Sequence, residues 1–130
     1  MNPKITDYGL VSLKENASIF LKYKNKNSYS SPEVLASNKT IDIGTNPKAD
    51  VYSFGILLWE IYTSMMPFDV PIKKVVELVV QDDFRPEITK EFNKDIAELI
   101  RICWESNPQL RPDFKTIIKR LNNVNIEINM

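Results

Sequence analysis

The side chains able to do chemistry in this chain are few, and carboxylates lead them. The sequence has no histidine, so the commonest general base and the commonest metal ligand are both missing. Asp7 stands in the turn Asp7-Tyr8-Gly9, Glu33 follows Pro32 at the start of a short helical pattern, and Asp50 opens a long apolar run. Cys103 is the lone thiol, which excludes an internal disulfide and fits a reducing compartment. Between Gly9 and Ser31 lie the hydroxyls of Ser12, Ser18, Tyr23, Ser28, Tyr29 and Ser30, accompanied by Lys22, Lys24 and Lys26. A phosphate on any of these hydroxyls would add about two negative charges that the lysines could pair.

One element must position the rest. Across residues 48–61, Val51, Phe54, Leu58 and Ile61 recur at helical spacing, and Tyr52, Ile56, Leu57 and Trp59 make the other faces apolar too. This pattern predicts a helix enclosed on every side. Asp50 sits where that helix begins and can cap its free N–H groups or bond to a neighbouring loop. Upstream, Lys4-Ile5-Thr6 reads as the end of a strand, residues 12–27 as an exposed loop, and Ser30 to Leu35 as a short helix with Pro32 and Glu33 in its first turn. Residues 37–47 form a second loop. Downstream, Pro67 and Pro71 bracket the exit, and Ile72, Val75, Val76 and Val79 predict a short amphipathic helix ending before Asp82. Ile96, Leu99, Ile100, Cys103 and Trp104 mark a one-sided helix over 94–105, which Asn107-Pro108 stops. Asp113 can cap a last helix whose apolar face is Phe114, Ile117, Ile118 and Leu121, and residues 122–130 read as a polar tail.

At 130 residues the chain suits one domain, able to bury about two-thirds of its unfolded surface. Its 17 basic and 17 acidic residues cancel, so no global field favours nucleic acid or an anionic membrane. No apolar run reaches membrane-spanning length, and Met1-Asn2-Pro3-Lys4 lacks the apolar stretch of a signal peptide. The expectation is a cytoplasmic protein.

Taken in order, Asp7-Tyr8-Gly9, an exposed loop, Ser31-Pro32-Glu33, Asp50-Val51-Tyr52-Ser53-Phe54-Gly55, then Cys103-Trp104 with Asn107-Pro108 and Arg111-Pro112, resemble the C-terminal part of a eukaryotic protein kinase. The resemblance runs from Lys4 to about Leu121, and Trp59 with the segment from Cys103 to Pro112 looks most like the tyrosine kinases and tyrosine-kinase-like enzymes. It implies a mainly α fold: the helical C-terminal lobe of a kinase-like domain, partial over 4–121, with the N-terminal β lobe and the catalytic loop absent. It also implies roles. Asp7 would hold the magnesium that bridges the ATP phosphates, with Gly9 allowing the tight turn beneath it. Tyr8 replaces the usual Phe, and Ser31 replaces a small alanine. Glu33 would pair with Arg111, and Asp50 would hold the backbone of the catalytic loop. The loop from Gly9 to Ser31 would be the switched segment, which makes Ser12, Ser18, Tyr23, Ser28, Tyr29 and Ser30 candidate phosphosites. Asn25 and Lys26 stand where many serine/threonine members carry a Gly-Thr pair, so a threonine hydroxyl that bonds the catalytic loop is missing, as it also is in tyrosine-specific members.

The family reaction implied is ATP-dependent phosphorylation of serine, threonine or tyrosine in proteins. It requires a Gly-rich loop, a strand lysine with its helix glutamate, and a catalytic loop supplying an Asp base and a metal-binding Asn. The 130 residues hold no G-x-G and no Arg-Asp pair, so no catalytic residue is intact. Neither ATP nor magnesium is expected to bind this chain alone, and it is expected to be inactive. The partners implied are protein substrates and an N-terminal kinase lobe supplied elsewhere. A second reading is a stand-alone, pseudokinase-like binding module that uses the helix over 72–80 and its groove. In either case Asp50 must find water or cap its own helix, and an apolar patch is expected beside Val51, Phe54 and Leu58. Such a patch would leave the chain marginal or aggregation-prone on its own.

Overall fold

Each helix of the fold begins at a proline or at a capping side chain. In the computed structural model, which describes residues 26–37 and 46–124, helix α1 (Pro32–Ala36) precedes α2 (Pro47–Thr63) and α3 (Ile72–Val76). The last of these runs on into a π-helical turn (Glu77–Gln81); α4 (Lys94–Cys103), a 3-10 turn (Pro108–Leu110) and α5 (Phe114–Asn122) follow. Among the described residues there is no strand. The expected strand end at 4–6, the turn at Asp7, most of the two loops and the end of the tail lie outside the described residues.

The cap of α2 corrects the sequence reading. Asn46 Oδ1 accepts the N–H of Ala49 at 3.3 Å, and Pro47 takes the first helical position. Because Pro47 starts the helix earlier, Asp50 falls inside the first turn, exposed, where its charge still meets the positive end of the helix. At the other end Ser64 adopts the left-handed conformation, φ 57°, and its N–H donates to Glu60 O. Helix α4 is capped by Asn93, whose Oδ1 accepts from Asp95 and Ile96, and it ends at Cys103, two residues before the expected limit. Asp113 caps α5 as the sequence suggests, accepting from Thr116 N at 2.8 Å.

Two apolar clusters meet on α2 and α4. The larger gathers Leu35 from α1, Tyr52, Ile56 and Trp59 from α2, Val75 and Val79, and Ile96, Ile100 and Trp104. The smaller joins Val51, Leu99, Cys103 and Ile117. Full burial of one such aliphatic or aromatic side chain is worth about 1.5–3 kcal/mol, so the α2/α4 crossing is the main source of stability. Gly55 permits that crossing: a Cβ added there would lie 2.8 Å from Cys103 Cβ and 3.3 Å from Trp104 N. No residue larger than glycine fits without a shift.

Helix α2 is not enclosed on every side. Ile61 is 67% exposed, and Leu57 and Tyr62 are exposed as well. The expected patch beside Val51 is displaced: Val51 is buried, and the open stripe runs instead through Leu57 and Ile61 with half-buried Phe54 and Leu58 at its edge. Phe54 meets Phe114 edge-on at 6.1 Å, which continues the stripe onto α5, where Ile118 is 58% exposed. Of the four residues assigned to the apolar face of α5, only Ile117 is buried.

Candidate functional site

The charged centre of the molecule is Arg111, on the segment between the 3-10 turn and α5. Its side chain is fully buried and its guanidinium forms a two-pronged pair with Glu33, Nη1 to Oε1 at 2.7 Å and Nη2 to Oε2 at 2.9 Å. The remaining donors reach backbone carbonyls of Glu105 (2.8 Å), Lys48 (2.9 Å) and Ser106 (3.3 Å). Lys48 returns the bond by donating Nζ to Arg111 O at 2.5 Å. Only a guanidinium supplies this many donors in a fixed fork. Partial burial pushes the Glu33 carboxyl up, but the bonds from Arg111 and its own backbone N–H prevail and hold it below the usual carboxylate range. One ion pair thereby fastens α1 and the start of α2 to the segment after α4.

Tyr52 lies between two guanidinium groups, Arg111 at 5.2 Å and Arg85 at 5.1 Å from its ring centroid. Arg85 donates to Trp104 O and to Ser106 Oγ, both at 3.0 Å, and pairs with Asp83, to which Ser106 also donates. Burial pushes the Tyr52 phenol up to about 12.

The segment 26–31 is strapped onto α1 and α2. Lys26 Nζ donates to Leu35 O at 3.0 Å and to Ser37 O at 2.7 Å, closing the C-terminal end of α1. Tyr29 OH donates to Glu60 Oε1 at 2.5 Å, and Ser53 Oγ donates to Tyr29 O at 2.7 Å. Burial, then the Glu60 carboxylate, push the Tyr29 phenol up to about 12.

Of the residues singled out from sequence, the structure brings together Glu33 and Arg111 and places Asp50 apart from them at the surface. Although Asp50 is exposed, partial desolvation beside the helix raises the pKa of its carboxyl. Among the candidate phosphosites, Ser30 is buried with its hydroxyl bonded within the Asn27 turn, Tyr29 is tied to Glu60, and Ser28 is half-buried in that turn. Asp7, Gly9, Ser12, Ser18 and Tyr23 lie outside the described residues. Among the described residues no group of three His, Cys, Asp or Glu converges, and Asp7, the residue that the resemblance assigns to magnesium, lies outside them. The roles of Glu60 and Lys48 escaped the sequence reading, and Lys26, read there as a phosphate-pairing lysine, ties down the end of α1 instead. Glu60 was detectable as the one carboxylate of the apolar run after Asp50; the two lysines carry no local signal.

A short helix and a central apolar helix, locked by a buried arginine from the segment preceding the last helix, define the helical lobe of a protein kinase. The chain belongs to that family: the family described as "Protein tyrosine and serine/threonine kinase" matches residues 1–121. It is 39% identical over 119 residues to the serine/threonine-protein kinase CTR1 of Arabidopsis thaliana, covering 91% of this chain and 14% of that protein. To the dual specificity protein kinase shkD of Dictyostelium discoideum it is 37% identical over 129 residues, covering 95% and 16%. To the serine/threonine-protein kinase STY17 of Arabidopsis thaliana it is 33% identical over 127 residues, covering 96% and 21%. The chain therefore spans under a quarter of the length of each of these relatives. Among the described residues no helix is long and apolar enough to cross a membrane.

Proposed function

We propose that this chain is the helical portion of a kinase domain, partial over residues 4–121, that supports phosphorylation of protein serine, threonine or tyrosine only when joined to the elements that handle ATP, and that these 130 residues alone are inactive. The observation that carries this reading is the Glu33–Arg111 pair: it ties α1 to the segment between the 3-10 turn and α5, the pairing that the kinase resemblance implies for the helical lobe. The open stripe of α2 and α5 supports it too, since apolar side chains such as Ile61 and Ile118 suit a seat for a further part of the domain. Asp7 would then bring its carboxylate to magnesium in the assembled site, and phosphorylation at Ser28 would be the modification that disturbs the strap least. The purified chain incubated with magnesium, labelled ATP and a generic protein substrate is expected to transfer no phosphate above background. Transfer to the substrate or to itself would overturn the proposal.

A second reading, a stand-alone protein-binding module, is favoured by the exposure of Val70, Val80 and Phe84 around α3 and the π-helical turn. It predicts a partner retained without nucleotide and lost on Phe84→Glu. Retention of the partner by that variant would exclude the surface.

A further inference from the structure

The loop that follows the π-helical turn is held at the surface by a clasp of three side chains. Asp83 there adopts the left-handed conformation, φ 51°, which a residue other than glycine keeps only where its surroundings enforce it. What enforces it is polar: the Asp83 carboxylate accepts from the Ser106 hydroxyl and pairs with Arg85 Nη2 at 3.3 Å. Ser106 Oγ accepts in turn from Arg85 Nη2 at 3.0 Å. Arg85 is the fixed member, its side chain 12% exposed and its Nε and Nη1 donating to Trp104 O at 3.0 Å and Phe84 O at 2.8 Å. Asp83 is the loose one, with a side chain 73% exposed. The position of Phe84 depends on both: its N–H donates back to Leu78 O at 2.9 Å, and its half-exposed ring tilts against buried Phe68 at 5.9 Å.

Ser106, whose hydroxyl joins Asp83 to Arg85, is itself exposed. We propose that Ser106 is a phosphorylation site and that its phosphate opens the clasp by taking Arg85 from Asp83. A serine/threonine kinase acting on this chain forms the bond from Oγ to the γ-phosphorus of ATP as the bond to the β,γ-bridging oxygen breaks; ADP leaves, and the hydroxyl proton passes to that kinase's base. The esterified Oγ then has no proton to give Asp83. Its phosphate brings about two negative charges and three acceptor oxygens beside Arg85 Nη2, which repel the carboxylate and displace it from the guanidinium. Arg85 keeps its bonds to Trp104 O and Phe84 O, whereas Asp83 loses both partners and with them the support for its left-handed backbone. Phe84 also belongs to the surface of the stand-alone module, but its release is read on the loop itself and needs neither a partner nor any transfer activity of this chain.

The test uses the full 130-residue chain in two forms, unmodified and with phosphoserine introduced at position 106 during translation. Hydrogen exchange of the Phe84 amide is expected to be about tenfold faster in the phosphorylated form, while the amides of Leu99 and Ile100 in α4 keep their protection. Asp83→Asn removes the charge but keeps a side chain tolerant of the left-handed region, so phosphoserine should leave Phe84 exchange in that variant within about twofold. Incubated with labelled ATP and a serine/threonine kinase that favours acidic surroundings, the folded chain should take up phosphate at Ser106, as mapped by mass spectrometry. Unchanged Phe84 exchange in the phosphorylated form, equal acceleration in Asp83→Asn, loss of protection reaching Leu99 and Ile100, or no phosphate at Ser106 would each overturn the proposal. The comparison of the two forms needs no substitution at Asp83, so it decides the matter even where Asp83→Asn disturbs the loop.

Discussion

Gly55 of α2 and Cys103 of α4 approach so closely that a methyl group on the glycine would sit 2.8 Å from Cys103 Cβ. The contact is between two rigid positions of crossing helices, not with the free end of a long side chain. Gly55→Ala would gain about 1 kcal/mol of helix propensity, whereas overpacking a tight core costs about 1–3 kcal/mol. The net expectation is destabilisation, read as a lower denaturation midpoint at unchanged slope. In a Cys103→Ala background the loss should persist, because alanine keeps the offending Cβ.

Arg111 connects sequence positions 78 residues apart, and the fork that does so has no substitute. Arg111→Lys keeps the charge but abandons the second bond to Glu33 and most of the bonds to Glu105, Lys48 and Ser106. A loss of about 3 kcal/mol is expected, since the carboxylate and several carbonyls are stranded together. The pair also fixes an acid limb. Glu33 has a folded pKa below its ordinary value of 4.5, so its contribution is fully present above that value and is lost as pH falls through the lower, folded one. Urea titrations from pH 6 downward should show stability declining in that window, and Glu33→Gln should flatten this part of the decline.

The alkaline side rests on Tyr29, Tyr52 and Cys103. Burial raises both phenols from 10.0, and the thiol from 9.0, to about 12. Each group is stabilising in its protonated form, so its contribution is complete below the unfolded value and disappears as pH climbs toward the folded one. Ellipticity at 222 nm followed through that window should reveal an alkaline unfolding transition. Tyr29→Phe should cost about 1 kcal/mol at neutral pH through the lost bond to Glu60, and it should move the alkaline transition upward by removing one of the three ionisations.

How much of this was legible beforehand depended on how local each cause was. The helices of 94–103 and 114–122 follow from apolar spacing and from Asp113, whose capping depends only on neighbours three residues away. At Asp50 local reasoning left capping and hydration open; the carboxylate is exposed, because Asn46-Pro47 is the better-placed cap. The Glu33–Arg111 expectation came from family resemblance, not from spacing; nothing within either segment announces the other. Lys26, Lys48 and Glu60 gain their partners only from the folded arrangement, at separations of 9, 63 and 31 residues. The apolar spacing of α2 marked its buried residues, but it could not tell a face covered by this chain from one left open.

That open face yields the last prediction. Leu57 and Ile61 lie one turn apart on α2, and the Phe54–Phe114 contact extends their stripe to Ile118 of α5. Exposed apolar area of this kind brings no stability to the isolated chain, since it stays in water whether or not the core is folded around it. Replacing it with charge should therefore leave the denaturation midpoint within about 0.5 kcal/mol while removing the drive to self-associate. For Ile61→Lys combined with Ile118→Glu, light scattering should show less aggregate at equal concentration, and binding of an apolar dye should fall. A variant that unfolded at markedly lower urea would mean that the stripe is covered within the chain itself, and that α2 is the enclosed helix its composition suggests.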